Sequence, residues 1–559
     1  MLSEGGGVFP RTAKSIQLTP QAASALGTEV RAMTPNDLIR TILRAPVDLL
    51  WNGGIGTYVK AQSETHAEVG DKGNDPVRVD AGELRCQVVG EGGNLGVTQR
   101  GRLEYALGGG RIHTDAIDNS AGVDCSDHEV NIKILLDAVT GTGDLTHKQR
   151  NRLLREMTDE VADLVLRDNY RQAQALATTQ AQAPTLLHMH VRCMEGLERR
   201  GALDRDLACL PGAEAIAERR AAGQGLVTPE FAVLMAYTKI VVTEDLLRSD
   251  LPEDRYLSRV IEEYFPAVLR KRWADRMPGH RLRREIIATR VANSLVNRAG
   301  ISFVHRLAEE MDVPISEIAR AHIVAREVFG MPAFWQQVDA LDDEVPPGVQ
   351  TTLLVETRSL LERATRWLLR TRTQPFDIGE NIEYFRPGVS KLLSRLPEML
   401  TRDEESPVDV AAARFRAAGV PADVATRAAT LAAAFATLDI VECAVAGYPL
   451  ETVAAVYFEL AIPLGISWLG DQITALPRQD RWQTRARAAL REDLATAHRA
   501  VTMAVLTQEG PEAAALRVDN WLAGNAAAVG RCRHLLADMR SADQHHLATL
   551  SVAVRELRG

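Results

Sequence analysis

The chain has 559 residues, of which 46% are hydrophobic and 25% charged. That length exceeds what one hydrophobic core holds, so several domains are expected, and the composition excludes wholesale disorder. Acidic residues outnumber basic ones, for a formal net charge of −9, which argues against a nucleic-acid partner because phosphate neutralisation needs a basic excess.

In chain order, T-P-N-D-L-I-R-T-I-L-R-A-P predicts a helix with Thr34 as N-cap and Pro35 at its first position, stopping before Pro46. V-D-L-L-W (47–51) reads as a buried strand ended by N-G-G-I-G. A polar insert (61–80) precedes a second strand, L-R-C-Q-V-V, and the loop G-E-G-G-N-L-G (90–96). A helical piece over about 97–107 and a third strand at 111–115 follow. Strands alternating with helices imply a parallel sheet covered by helices. From about residue 130 the pattern is helical almost throughout. V-T-P-E-F-A-V-L-M-A-Y-T-K-I is capped at Thr228, R-R-E-I-I-A-T-R-V-A-N-S-L-V repeats the style, and 409–447 is rich in alanine. Joints are expected near 339–348 and 401–407. The fold class is therefore mixed: an incomplete α/β Rossmann-type parallel-sheet region over 1–150, then a large all-α helical region over 151–559.

Of the 65 basic residues eight are lysine and 57 arginine, so a catalytic amine has few candidates. Six cysteines (86, 125, 193, 209, 443, 532) form no C-x-x-C pair, which fits a reducing compartment with neither a disulfide framework nor a zinc site. The N-terminus lacks a basic stretch followed by an apolar run, so no signal peptide is expected. The most apolar run, L-A-A-A-F-A-T-L-D-I-V-E-C-A-V-A, is interrupted by Asp439 and Glu442 and falls short of a membrane span. A cytoplasmic protein with no membrane partner is expected.

Candidate chemistry gathers in the first region. G-E-G-G-N-L-G misses the G-x-G-x-x-G spacing, because Leu95 stands where the third glycine is required, and it reads first as a chain reversal. Asn94 and Asn119 each sit just past the carboxyl end of a predicted parallel strand, so both could line one crevice. A side-chain amide complements the donor and acceptor of a nicotinamide carboxamide, yet asparagine also suits an awkward turn. Ser126-Asp127-His128-Glu129 fits the S-x-x-E capping box, and a helix N-terminus with a hydroxyl is also a carboxylate site. In H-M-H-V-R-C (188–193) the two histidines would point to different helix faces, so no metal site is read there. Cys125 reads as a small buried residue.

Beyond single residues, W-N-G-G-I-G-T-Y, V-V-G-E-G-G-N-L-G-V-T-Q-R-G-R and D-A-I-D-N-S-A-G-V-D-C-S-D-H-E-V-N resemble the large, multidomain bacterial NAD-specific glutamate dehydrogenases. G-L-V-T-P-E-F-A-V-L-M-A-Y-T-K-I (225–240), R-R-E-I-I-A-T-R (283–290) and L-P-R-Q-D-R-W-Q (476–483) resemble their C-terminal domain, so the similarity covers essentially the whole chain. The resemblance implies oxidation of L-glutamate to 2-oxoglutarate and ammonium, NAD as cofactor, and a homo-oligomer assembled through the full-length subunit. V-V-G-E-G-G-N is similar to an E-G-A-N segment of ordinary glutamate dehydrogenases, with Gly93 in place of Ala, which implies Asn94 near the nicotinamide ribose. N-S-A-G-V is similar to N-A-G-G-V, implying Asn119 at the carboxamide. Asn52-Gly53-Gly54 matches a loop whose backbone passes the cofactor, which brings in Gly53 and Gly54. Ser126 falls where that wider family has a serine touching a substrate carboxylate. The family's catalytic Lys and Asp and its pyrophosphate turn have no matching motif here, and Lys14 does not fit. The expectation is the C-terminal part of a longer subunit, with no catalytic residue and no metal of its own, inactive alone. Two other readings stay open: a non-catalytic helical assembly or regulatory module with a vestigial nucleotide fold, and a self-sufficient nucleotide binder using Gly90 to Gly96.

Overall fold

The computed structural model describes residues 2–375, 377–400, 406–478, 480–508, 513–542 and 545–557. They form two compact units, Met1–Leu247 with Leu257–Asn297, and Arg248–Tyr256 with Arg298–Gly559.

Among the described residues the first unit holds seven short strands: β1 (Ile16–Gln17), β2 (Ala32–Met33), β3 (Leu49–Asn52), β4 (Val59–Lys60), β5 (Val79–Asp80), β6 (Val88–Glu91) and β7 (Arg111–Ile112). β3, β6 and β7 make the expected parallel sheet, in the order β3-β6-β7, with Leu49 opposite Val88 and Val88 opposite Arg111. The second strand starts later than its apolar pattern suggests. Both Gln87 and Val88 donate to the carbonyl of Asp48, so the ladder opens only there. The third strand stops at Ile112, because a short helix (Asp115–Asp118) takes over after Thr114. V-D-L-L-W, expected to be buried, is the sheet's edge, and Leu49 and Trp51 are 53% and 59% exposed.

The polar insert is built rather than loose. β4 and β5 pair in parallel, and the buried Arg78 guanidinium ties the segment together. It donates to the Thr57 carbonyl at 2.8 Å, the Asp71 carbonyl at 2.6 Å and Asp75 Oδ1 at 2.5 Å. Val59, Val79, Val89, Val97, Tyr105 and Ile112 form the core beneath it.

The helices that position the site are α1 (Pro35–Leu43), α2 (Gln99–Leu107), α3 (Ser120–Gly141), α4 (Thr158–Gln180), α5 (Leu187–Arg199), α6 (Thr228–Arg248) and α7 (Arg283–Ala299). Thr34 caps α1 as its sequence requires, accepting from Asp37 N at 3.2 Å. Thr98 does the same for α2, accepting from Gly101 N at 3.0 Å. At α6 the cap differs from expectation. Thr228 is already helical and its hydroxyl donates to Gln180 Oε1, while the Glu230 carboxylate accepts the Val227 N–H at 2.8 Å.

In the second unit the described residues are helical with connecting turns. Its centre is α8 (Ile315–Val328), buried nearly all round and packed against α9 (Pro347–Thr371) and α10 (Ile378–Leu400). Its buried charges are paired, Arg320 with Asp254 and Glu327 with Arg386 at 2.9 Å. Farther along, α11 (Leu450–Ala461) packs on α12 (Arg481–Leu506). The most apolar run breaks at Phe435 into two helices bent by 63°. Within it Asp439 is buried and accepts from Trp367 Nε1 at 2.9 Å and Arg499 at 3.0 Å. Among the described residues no single helix is long and apolar enough to cross a membrane, although two bent pairs pass by length and composition. The joint expected at 339–348 lies between a helix (Met331–Asp339) and α9. Of the one expected at 401–407, residues 401–405 lie outside the described residues. The architecture is thus the mixed one expected, a partial parallel sheet followed by helices.

Candidate functional site

Three turns meet where β3, β6 and β7 end, the place where open parallel sheets hold ligands. They are Asn52-Gly53-Gly54 after β3, residues 92–96 after β6, and the short helix leading to Asn119 after β7. The first two pack so closely that side chains are excluded. A Cβ on Gly93 would stand 2.2 Å from the Gly54 carbonyl oxygen, and one on Gly96 would stand 1.6 Å from Asn52 Nδ2. The glycines therefore serve this approach, and Leu95 takes the left-handed conformation instead, at φ 57°.

Carboxylates from the flanking elements hold the β6 turn. Glu91, fully buried, accepts from Arg102 Nε at 2.7 Å and Nη2 at 2.9 Å, and from Val97 N at 3.1 Å. Asp115 accepts from Leu95 N at 2.8 Å, and Asp118 from Glu91 N at 3.0 Å. Thr57 donates to the Leu95 carbonyl at 2.7 Å. The bidentate Arg102–Glu91 pair is buried and doubly satisfied, the condition under which such a pair holds geometry.

On this frame Asn94 and Asn119 come together. The Asn119 amide donates to Asn94 Oδ1 and to the Gly93 carbonyl, the latter at 3.2 Å. Asn94, Gly53 and Gly54 are exposed, and Asn119 is half-buried.

Ser126 does not form the expected capping box. α3 begins at Ser120, so Ser126 lies in its second turn, where the backbone N–H is already committed within the helix. Asn119 occupies the N-cap position without a side-chain cap bond. The helix starts early because the Asp115–Asp118 turn delivers Asn119 at φ −98°, ψ 11°, next to helical geometry. Ser126 is exposed, and its spacing of seven from Asn119 puts both on one helix face, roughly 10 Å apart along the axis. Val123 and Val130 share that face and are 75% and 52% exposed. Cys125, expected to be buried, is exposed, because the buried side of α3 carries His128, Asn131, Ile132 and Leu135 instead.

That buried side has chemistry the sequence reading missed. Asp124 and His128 face α4, whose Asp168 pairs with Arg290 of α7 at 2.6 Å. Burial, reinforced by the Asp168 charge, pushes the Asp124 carboxyl up to about 6. Lys239 of α6 reaches Gln172 Oε1 at 3.1 Å, and burial pulls its amine down to about 8. Asn169 donates to Ser120 Oγ at 2.9 Å, tying α4 to the first residue of α3. The spacing of four between Asp124 and His128 was a legible signal. Asp168, Lys239 and Arg290 join only through helix packing. Of the H-M-H pair, His190 is buried edge-on against Phe231 at 4.8 Å.

Residues 223–559 match a family model described as glutamate dehydrogenase, C-terminal, and residues 1–179 one described as bacterial NAD-glutamate dehydrogenase, catalytic domain. The chain belongs to the NAD-glutamate dehydrogenase family. It is similar to the NAD-specific glutamate dehydrogenases of Halomonas elongata (45% identity over 559 residues), Pseudomonas aeruginosa (46% over 563) and Mycobacterium tuberculosis (43% over 566). Each comparison covers 100% of this chain and 35%, 34% and 35% of the relative, respectively. The chain therefore spans about a third of the length of the curated relatives it matches. Gly53, Gly54, Asn94, Asn119 and Ser126 fall inside the catalytic-domain match, and Lys239 and Arg290 inside the C-terminal one.

Proposed function

We propose that this chain is the C-terminal part of an NAD-dependent glutamate dehydrogenase, which converts L-glutamate, NAD⁺ and water to 2-oxoglutarate, ammonium and NADH. Residues 1–150 supply the end of its dinucleotide-binding domain and 151–559 its helical C-terminal domain. The contact between Asn94 and Asn119 at the carboxyl end of a parallel sheet carries this reading. The residues fit a nicotinamide nucleotide. Gly53 and Gly54 expose bare backbone, a Cβ on Gly54 would meet nothing within 4 Å, and two side-chain amides stand beside them. NAD⁺, when bound, accepts the hydride from the substrate. This chain's residues bind and orient: Asn119 and Asn94 toward the nicotinamide end, Gly53 and Gly54 along the cofactor, and Ser126 as hydroxyl donor to a substrate carboxylate. No residue of the chain is assigned the proton transfer. The same reading makes the subunit a cytoplasmic homo-oligomer acting on small molecules, with no nucleic-acid or membrane partner.

The test is a chimera in which this chain replaces the matching third of the Pseudomonas aeruginosa relative. Glutamate-dependent NADH formation is expected. Asn119→Ala in the chimera should raise KM for NAD⁺ about ten-fold, the equivalent of roughly 1.4 kcal/mol, with a smaller effect on glutamate. A well-folded chimera without activity, beside an active parent, overturns the reading. So does an unchanged KM for NAD⁺ in the Asn119 variant.

A further inference from the structure

Asp124 and His128 stand one helical turn apart on α3, and Asp168 reaches them from α4. One donor atom from each of the three lies within 4.8 Å of the others. His128 is 1% exposed, and neither ring nitrogen has a hydrogen-bond partner. Its ring is stacked on Tyr264, with centroids 4.5 Å apart and planes 17° from parallel, so its orientation is fixed. Asp124 Oδ2 is likewise buried and without a partner. Buried polar atoms are nearly always satisfied, and an idle one costs free energy. A neutral imidazole has one nitrogen lone pair to give, and that lone pair beside two carboxylates asks for a ligand that accepts from all three side chains.

We propose that Asp124, His128 and Asp168 bind one divalent transition-metal ion of the zinc or manganese class. One imidazole nitrogen with two carboxylate oxygens suits zinc, and the carboxylate oxygens suit manganese. Ligand atoms about 2.0–2.2 Å from such an ion stand roughly 3.3 Å apart in a tetrahedron, so the three side chains need close only modestly. Arg290 holds Asp168 Oδ2 at 2.6 Å, and Arg171 stands 3.7 Å from its Oδ1. This is the outer support that ligating carboxylates generally have. Asp127 accepts from the Tyr264 hydroxyl at 2.8 Å, which holds the ring beneath His128. Since Asn169 already ties α4 to Ser120, the ion would clamp α3 against α4 behind the helix face that carries Asn119 and Ser126.

The measurement is calorimetric titration of the chelator-stripped 559-residue chain with Zn²⁺ and, separately, Mn²⁺, with Mg²⁺ as control. One saturable site per chain is expected for Zn²⁺ or Mn²⁺, with a raised melting temperature. Asp124→Asn and His128→Phe should each weaken it ten-fold or more, and the phenylalanine keeps the stack on Tyr264. His546→Ala, far along the sequence on an exposed residue, should leave it unchanged. X-ray absorption of the zinc-loaded chain reads the donors directly even where a variant fails to fold. Imidazole nitrogen with oxygen neighbours supports the site, and sulfur, from the nearby exposed Cys125, overturns it. Absence of a saturable site for both ions, or binding that survives in both folded variants, also overturns the proposal.

Discussion

Ser126 lies one and a half turns inside α3, so the free N–H groups at the helix start belong to residues before it. Replacing it therefore tests substrate contact almost free of helix effects. In the chimera, Ser126→Ala should leave stability unchanged or gain up to about 0.5 kcal/mol, since alanine is the better interior helix former. A capping serine would instead lose about 1 kcal/mol. On the proposed contact, Ser126→Asp would place like charge against a substrate carboxylate, at a cost on the order of 1–4 kcal/mol over a few ångströms, and should raise KM for glutamate at least about ten-fold. An unchanged glutamate KM in a folded Asp variant sinks the contact. At this scale the sequence was readable where a residue's place depends on its own strand. Asn94 and Asn119 follow strand ends, and they meet. It was unreadable where the place depends on distant partners. Nothing near Glu91 announces that Arg102, eleven residues on, and Asp118, in the next turn, will hold it.

Among the elements, the Thr-Pro start of α1 was legible at Thr34 because the signal is local, whereas the same signal at Thr228 misplaced the cap, which Glu230 supplies to Val227 N. Strand lengths were not legible, because a ladder extends only as far as its neighbour allows, and β7 has only two residues facing β6. The H-M-H stretch on α5 shows the same division: helix geometry separates the two histidines, but only packing buries His190. Burial pulls the His190 imidazole down to about 3, with a further push from His188. The native state keeps it neutral below pH 6.5, whereas the unfolded chain takes up a proton there. Its contribution to stability is fully present above about pH 6.5 and is lost as pH falls toward 3. Each unit of pH in that window costs on the order of 1 kcal/mol. His190→Leu should flatten the fall of the melting temperature between pH 7 and pH 5. Melting curves that remain parallel for variant and parent across that range would show that His190 titrates normally.

On the scale of the whole molecule, the parallel sheet leaves its β3 edge exposed. Three parallel strands are few, and parallel sheets are normally covered on both faces. Here edge strand β3 exposes Leu49 at 53% and Trp51 at 59%, the following turn exposes Ile55 at 94%, and the β6 turn exposes Leu95 at 64%. Apolar groups gathered on neighbouring turns mark a contact surface. The chain spans about a third of its relatives' length, and the chimera supplies the other two thirds. Two behaviours should follow. The 559-residue chain alone should bind a hydrophobic dye and associate as its concentration rises, and Leu49→Lys with Ile55→Ser should suppress both. Neither substitution touches the core beneath β4 to β7, so the variant's own stability should change by no more than about 0.5 kcal/mol. In the chimera the same pair should instead be destabilising. If the added segments cover β3, the same pair removes buried apolar area and should cost about 1.5–3 kcal/mol for each fully buried side chain, read as a lower melting temperature. Equal effects in the isolated chain and the chimera would mean that the surface stays open in both, and the covering partner would have to be another molecule.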